Sequence, residues 1–302
     1  MSKKKSSNKP PRQREIKLWI EGARLRTLPL AISPIAIGAG AAASYKSFNL
    51  GLTLLALAVS LFLQIGVNFA NDYSDGIRGT DEHRVGPLRL TGSKSVRPQA
   101  VKFAAFLFFG LAAIAGATIV LLTQHWWFIP VGIAAIVAAW FYTGGKSPYG
   151  YSGLGEIAVF IFFGLVATYG TAFIQIGSFN FNAFAGSIAA GFFASAVLMV
   201  NNIRDIDTDR HVGKRTLAVK VGKKWAKAIY FALIWLPFVI LFPYPFLYPV
   251  TIFAWAAVLL VLPATLIVAT AKTPKELILA LKLTSFASLS YAALFGLGLV
   301  SL

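Results

Sequence analysis

The sequence predicts an all-α polytopic membrane protein, a bundle of nine transmembrane helices. Three observations predict it. Of 302 residues, 57% are hydrophobic and only 13% charged, against about a quarter charged in ordinary soluble domains. Such a chain cannot cover a globular surface with polar groups. Its apolar residues come in runs close to the roughly 20 residues that cross a hydrocarbon core of about 30 Å. The runs are too uniformly apolar for the alternating strands of a barrel, and a backbone in lipid must close its hydrogen bonds within helices or closed barrels.

The elements follow in order. Residues 1–15 form a basic, polar, proline-containing tail, too poor in apolar residues to fold, and are expected to be disordered and cytoplasmic. Residues 16–302 form the helical domain. No small-residue cleavage site follows the first apolar run, which argues against a signal peptide. Candidate spans run over 27–45, 50–70, 103–123, 126–142, 154–176, 183–202, 225–243, 247–271 and 277–300. The first contains Gly38-Ala39-Gly40-Ala41-Ala42-Ala43, small residues that let helix backbones approach closely. The stretch Phe242-Pro243-Tyr244-Pro245-Phe246 reads as a turn at the outer interface. Of 28 Lys and Arg, 26 fall in the tail and alternate loops; Lys46 lies opposite and Lys282 inside the last span. This asymmetry predicts a cytoplasmic N-terminus, cytoplasmic 71–102 and 203–227 segments, and an external Leu302.

Composition excludes several chemistries. There is no Cys, so no disulfide, thiolate catalysis or Cys-based zinc site. His83, His125 and His211 are too dispersed for a metal cage. The net charge of +17 sits between apolar runs, which points to anionic lipid headgroups and phosphorylated substrates rather than nucleic acid.

The acids carry the most information. Seven of eleven fall in two windows, NDYSDGIRGTDE (71–82) and NNIRDIDTD (201–209), each at the inner end of an apolar span. Both contain Asn-x-x-x-Asp, Asn71 to Asp75 and Asn201 to Asp205, and Asp205 to Asp209 repeats the spacing. On a helix, i and i+4 share a face, so each pair can point at one target. Four spans separate the windows, which suggests an internal repeat that brings the clusters together. Converging carboxylates repel unless a cation neutralises them. Oxygen-only ligands suit a hard cation, Mg²⁺ above all, which is commonly shared with substrate phosphates. Arg78, Arg84, Arg89, Arg204, Arg210, Lys214 and Arg215 lie close by in sequence. Carboxylates for metal beside Arg and Lys for oxyanions describe a diphosphate site.

These residues resemble the UbiA-type intramembrane prenyltransferases. That family pairs N-D-x-x-D after its second span with D-x-x-x-D after its sixth, on nine helices. Asn71-Asp72-Tyr73-Ser74-Asp75 resembles the first motif, Asp205 to Asp209 the second, and Tyr142 to Lys146 a Y-x-x-x-K feature after the fourth span. The interval Asp75 to Asp81 is six residues, wider than the common spacing. The stretches ARLRTLPL (23–30), GLGEIAVFIFFGLVATYGT (153–171) and NNIRDIDTDRHVGKRTLAVKVG (201–222) resemble the branch that prenylates 1,4-dihydroxy-2-naphthoate in bacterial menaquinone biosynthesis, which shares the wider interval. The resemblance implies a multi-pass enzyme of the bacterial inner or plasma membrane. It would transfer a polyprenyl chain from polyprenyl diphosphate to 1,4-dihydroxy-2-naphthoate, with loss of CO₂ and diphosphate, giving demethylmenaquinone.

On this reading Asp72, Asp75, Asp205 and Asp209 are catalytic, and Asn71, Asp75, Asp81, Asp205 and Asp209 hold Mg²⁺. Asn71, Asn201, Tyr142, Lys146, Arg78, Lys214 and Arg215 bind the prenyl substrate, and Arg24 or Arg26 binds the acceptor carboxylate. Glu156, costly near lipid, pairs with Lys146 or orients a substrate hydroxyl. Another aromatic acceptor, of the 4-hydroxybenzoate kind, fits the same motifs. A secondary transporter would place ionisable groups near mid-membrane, where this chain has almost none. A CDP-alcohol phosphotransferase concentrates its acids in one motif, whereas here they are split between two.

Overall fold

Several helices begin where the sequence supplies a proline or an asparagine cap. The computed structural model describes residues 11–80 and 89–300. Helix α1, Pro11–Ala23, takes in the last five residues of the segment assigned to the tail; residues 1–10 and Asp81 lie outside the described residues. A short 3₁₀ turn, Leu25–Thr27, leads to α2, Pro29–Ser44, and the pair is bent by 47°. Next come α3, Leu50–Ile77; α4, Pro98–Thr123; and α5, Phe128–Phe141. After a 3₁₀ turn at Tyr149–Ser152 follow α6, Gly155–Ile176, and α7, Phe181–Arg204. The chain ends with α8, Ile206–His211; α9, Leu217–Leu241; α10, Pro249–Thr270; and α11, Glu276–Leu299. Asn49 caps α3 by accepting the Leu52 N–H at 3.0 Å, and Asn180 caps α7 by accepting that of Ala183 at 2.7 Å. Gly177, at φ 73°, closes α6.

The protein is all-α, with no strand among the described residues. Among the described residues seven helices are long and apolar enough to cross a membrane, and eight if the bent α1–α2 pair is one span. The expected span 126–142 is a helix of only 14 residues, about 21 Å long at 1.5 Å per residue. It still links the two ends of the bundle. Phe128 packs against Phe173 near the end of α6, while Tyr142 lies beside Gly155 at its start. Outward faces are apolar: Phe103 is 70% exposed and Leu259 75%, as lipid requires.

Helix α7 is the axis, buried along most of its length, with α2, α6, α9 and α11 around it. The small residues have the use that their sequence suggests. A Cβ on Gly40 would lie 2.3 Å from the carbonyl oxygen of Gly296, where α2 meets α11. One on Gly164 would lie 2.7 Å from Cα of Gly191, where α6 meets α7. Polar groups inside the bundle pair with each other or with backbone, as Tyr230 does with Thr284 at 2.9 Å and Tyr291 with the Pro237 carbonyl at 3.0 Å.

Gly40→Ala should therefore destabilise the folded protein by about 1–3 kcal/mol, the cost of overpacking a close contact. Gly110→Ala on α4, where a Cβ meets nothing within 4 Å, should not. Thermal melts of the purified protein in detergent check this, and equal shifts for the two variants would contradict the packing.

Candidate active site

One cavity of about 550 Å³ occupies the interior, within the range of roughly 300–1,000 Å³ usual for ligand sites. Helix α3 lines it from Ala56 to Asp75, a run of about 28 Å along the helix axis. The cavity is apolar over most of this length and polar at one end. Ile129 and Ile133 of α5 belong both to its wall and to the exposed surface, at 45% and 58% exposure.

Both acidic windows meet at the polar end. Asn71 and Asp75 from α3 and Asn201, Asp205 and Asp209 from α7 and α8 all line this cavity. The i, i+4 spacing of Asn71 and Asp75 puts both on one helix face. Helix α7 stops at Arg204, and Asp205 and Asp209 reach the wall across the break. Asp75 is the hub. Lys214 Nζ donates to Asp75 Oδ1 at 3.1 Å, Arg89 approaches Oδ2 at 3.8 Å, and the Tyr151 hydroxyl also donates to Oδ1. Lys214 Nζ further lies 4.5 Å from the Tyr151 ring centroid. Asp205 receives a fork from Arg204, Nε to Oδ1 at 2.7 Å and an Nη to Oδ2 at 2.6 Å, while Arg204 also donates to Asn201 Oδ1 at 2.8 Å.

Other expected residues sit elsewhere. Asp72 is fully buried off the wall; its carboxylate accepts the backbone N–H groups of Leu90 and Thr91, both at 2.8 Å. It pins the loop that carries Arg89. Arg78 donates to the carbonyl oxygens of Ser74, Thr143 and Gly145, clamping the segment after α5 onto the end of α3. Lys146 and Arg215 are exposed and lie off the wall, as does half-buried Arg26. Arg24 takes the wall position instead, with its backbone at φ 53° and its guanidinium 3.5 Å from the Asn68 carbonyl oxygen. Thr27, Gln64 and Asn68 form a hydrogen-bonded group beside it.

Tyr142 lines the cavity, and burial, then the nearby Glu156, push its phenol far above the ordinary range. Burial, then the Asp75 charge, do the same for Tyr151, and burial pushes Tyr149 up to about 12. These hydroxyls stay protonated donors at any physiological pH. Tyr151 and Arg89 on the wall are the residues that motif reading underrated. The sequence signal for Tyr151 is an aromatic in the same Gly-rich loop as Tyr142 and Lys146. Phe69 packs in the protein core against Trp19 and Phe108, and Tyr73 stacks on Trp140.

The two neighbouring aspartates of α3 should separate in experiment. Asp72→Ala leaves two buried N–H groups without an acceptor, and should lower stability by about 1–3 kcal/mol per group. Asp72→Asn, which keeps one acceptor oxygen, should recover part of it. Melting in detergent measures both; an unaltered midpoint for Asp72→Ala would remove its anchoring role.

Residues 31–299 match the UbiA prenyltransferase family. A 1,4-dihydroxy-2-naphthoate octaprenyltransferase of Mycobacterium tuberculosis is 44% identical over 274 residues, covering 91% of this chain and 94% of that one. The enzyme of the same name from Escherichia coli is 38% identical over 211 residues, covering 68% of each chain. A UbiA homolog from Archaeoglobus fulgidus, solved bound to DMAPP and Mg²⁺, superimposes with a TM-score of 0.65 at 16% identity, over 92% of this chain and 99% of that one. With the shared fold, the match along nearly the whole chain and both acidic motifs on one cavity, this chain belongs to the UbiA prenyltransferase family.

Proposed function

We propose that this protein transfers a polyprenyl group from polyprenyl diphosphate to 1,4-dihydroxy-2-naphthoate, releasing diphosphate and CO₂. The observation that supports it most is one cavity with acids and cations at one end and apolar walls along the rest of its length. The substrate divides in the same way. Its tail is too apolar for water, at about 0.8 kcal/mol per buried methylene, and its diphosphate too charged for lipid.

The donor set at the polar end fits Mg²⁺ in kind, because it is oxygen only. Among the described residues no three acids or imidazoles converge to hold a metal alone, which suits an ion that keeps waters and shares phosphate oxygens. Asp75, Asp205 and Asp209, with the Asn71 amide oxygen, are the residues that would hold it. Mg²⁺ when bound supplies Lewis-acid neutralisation of the leaving diphosphate.

The chain's own groups do the rest. Lys214 and Arg89 face Asp75 at the polar end, and cations placed there suit phosphate oxygens, where charge-assisted bonds stabilise the leaving group. The allylic C–O bond breaks and its electron pair leaves with diphosphate. The apolar walls exclude water from the resulting cation, which water would trap as an alcohol. The ring carbon bearing the carboxylate attacks; the C–C bond to the carboxylate then breaks, CO₂ leaves, and its electron pair restores the aromatic ring. Arg24 is the wall cation suited to the acceptor carboxylate, and its φ of 53° is a conformation that a non-glycine residue adopts only under constraint.

Purified protein given labelled prenyl diphosphate and a panel of aromatic acceptors should release CO₂ and diphosphate in equal amounts with 1,4-dihydroxy-2-naphthoate. Asp75→Asn and Asp205→Asn should each lower turnover by at least about 10²-fold without unfolding the protein, and EDTA should abolish it. Near-normal turnover in either variant, or full activity in excess EDTA, would sink the two-cluster site.

The polar end is proposed to face the cytoplasm, with the N-terminus inside and Leu302 outside, following the Lys and Arg asymmetry. Ser93 is exposed in the segment that Asp72 pins. Because the chain has no Cys, Ser93→Cys gives a single thiol. It should react with an impermeant reagent only after the membrane is opened; labelling in intact cells would reverse the topology.

A further inference from the structure

Glu156 opens α6, is 5% exposed, and is used by no step above. It does not pair with Lys146, which is exposed. Its Oε1 accepts the amide Nδ2 of Asn202 at 2.8 Å, and its Oε2 has no hydrogen-bond partner among the described residues. The start of α6 is held firmly. Ser195 on α7 donates to the Glu156 carbonyl oxygen at 2.9 Å, and Gly155 packs against the Tyr142 hydroxyl, where a Cβ would lie 3.2 Å away.

Asn202 is one residue beyond the motif's Asn201 and lines the same cavity. Glu156 Oε1 accepts from the Asn202 NH₂, and this bond sets which way the amide is turned. The NH₂ is committed to Glu156, and the oxygen is the edge left for the cavity.

We infer that Glu156 and Asn202 form a reader for a ring hydroxyl of the aromatic acceptor: Asn202 Oδ1 accepts the hydroxyl proton, and Glu156 is the positioning residue behind it. The inference rests on the functional reading above and adds the residue that recognises the acceptor. A hydroxyl donating to this oxygen gains phenoxide character and pushes electron density into the ring, as attack on an allylic cation requires. No proton is transferred in the ground state, and the hydroxyl is retained in the product.

Steady-state kinetics on Asn202→Ala, Glu156→Ala and Glu156→Gln test it, with 1,4-dihydroxy-2-naphthoate and its two monomethyl ethers as acceptors. Asn202→Ala and Glu156→Ala should raise the acceptor KM by about tenfold, the loss of one directed hydrogen bond, with the prenyl diphosphate KM unchanged. Glu156→Gln, which can still accept from Asn202, should restore the acceptor KM. The wild type should reject one monomethyl ether, and Asn202→Ala should no longer distinguish it from the parent. The double variant should be no worse than Asn202→Ala alone. A prenyl diphosphate KM that moves as much as the acceptor KM, or additive losses in the double variant, would overturn the pair. Acceptor binding to wild type and Asn202→Ala, followed by tryptophan fluorescence, is measured in parallel. If the wild type binds the acceptor but transfers nothing, the functional reading fails on its own. If Asn202→Ala binds as tightly as wild type, the reader fails on its own.

Discussion

Asp75 is a buried carboxylate that three chain segments reach from different directions. Arg89 comes from the loop after α3, Tyr151 from the loop after α5, and Lys214 from the segment after α8. An ion taken out of water carries a desolvation penalty of several kcal/mol, offset only by good partners. The chain supplies those partners from loops that have nothing else in common. The meeting point therefore fixes the register of α3, α5 and α7 at one end of the bundle. Asp72 works one level below it, tying down the backbone of Leu90 and Thr91 so that Arg89 arrives where it does.

Much of this was legible from sequence. Apolar run length gave the helices, because lipid leaves the backbone no other option. The acid windows gave the site, because a chain with so few acids places them where charge has a use. What the motif spacing could not show is where the helices stop. Tyr142 to Lys146 has i, i+4 spacing, but α5 ends at Phe141 and the chain turns through Gly145 at φ 74°. Lys146 is thereby carried out to solvent. Asp72 and Asn71 are adjacent in one motif, yet 100° apart around the helix, so one faces the loop and the other the cavity. Arg24 rather than Arg26 reaches the wall because Arg24 takes a left-handed conformation, which nothing in its side chain announces. The span 126–142 lost length because Trp126 and Trp127 form a turn before the helix starts.

Two solvents shape the rest. Outside, large apolar side chains meet lipid. Inside, small residues bring backbones into direct contact, as at Gly40 and Gly296. Polar side chains within this thickness are tied to specific acceptors, as Ser60 is to the Ala31 carbonyl at 2.8 Å. The charged groups that line the cavity stand out against this background, and Asp75, Asp205, Asp209 and Lys214 gather at its polar end.

Helix α6 shows how one element serves several demands at once. Its middle, Phe160–Tyr169, is wound as a π-helix, a rare geometry that occurs mostly at functional sites. Phe162 and Phe163 are consecutive, yet both line the cavity, with Val166 and Ala167 beyond them. Aromatic faces stabilise cations through their quadrupoles, and a wall of two successive rings offers such faces without any ionisable group. Glu156 lies at the start of the same helix, about 10 Å before them along its axis. In the proposed reaction this order matches the chemistry: the acceptor hydroxyl is held at the start of the helix, the allylic cation is shielded one to two turns on, and the tail lies against the apolar residues beyond. The π-helical stretch thus lies along the cavity between Glu156 and the last turns of α6, where Gly170, Thr171 and Ile174 continue the wall.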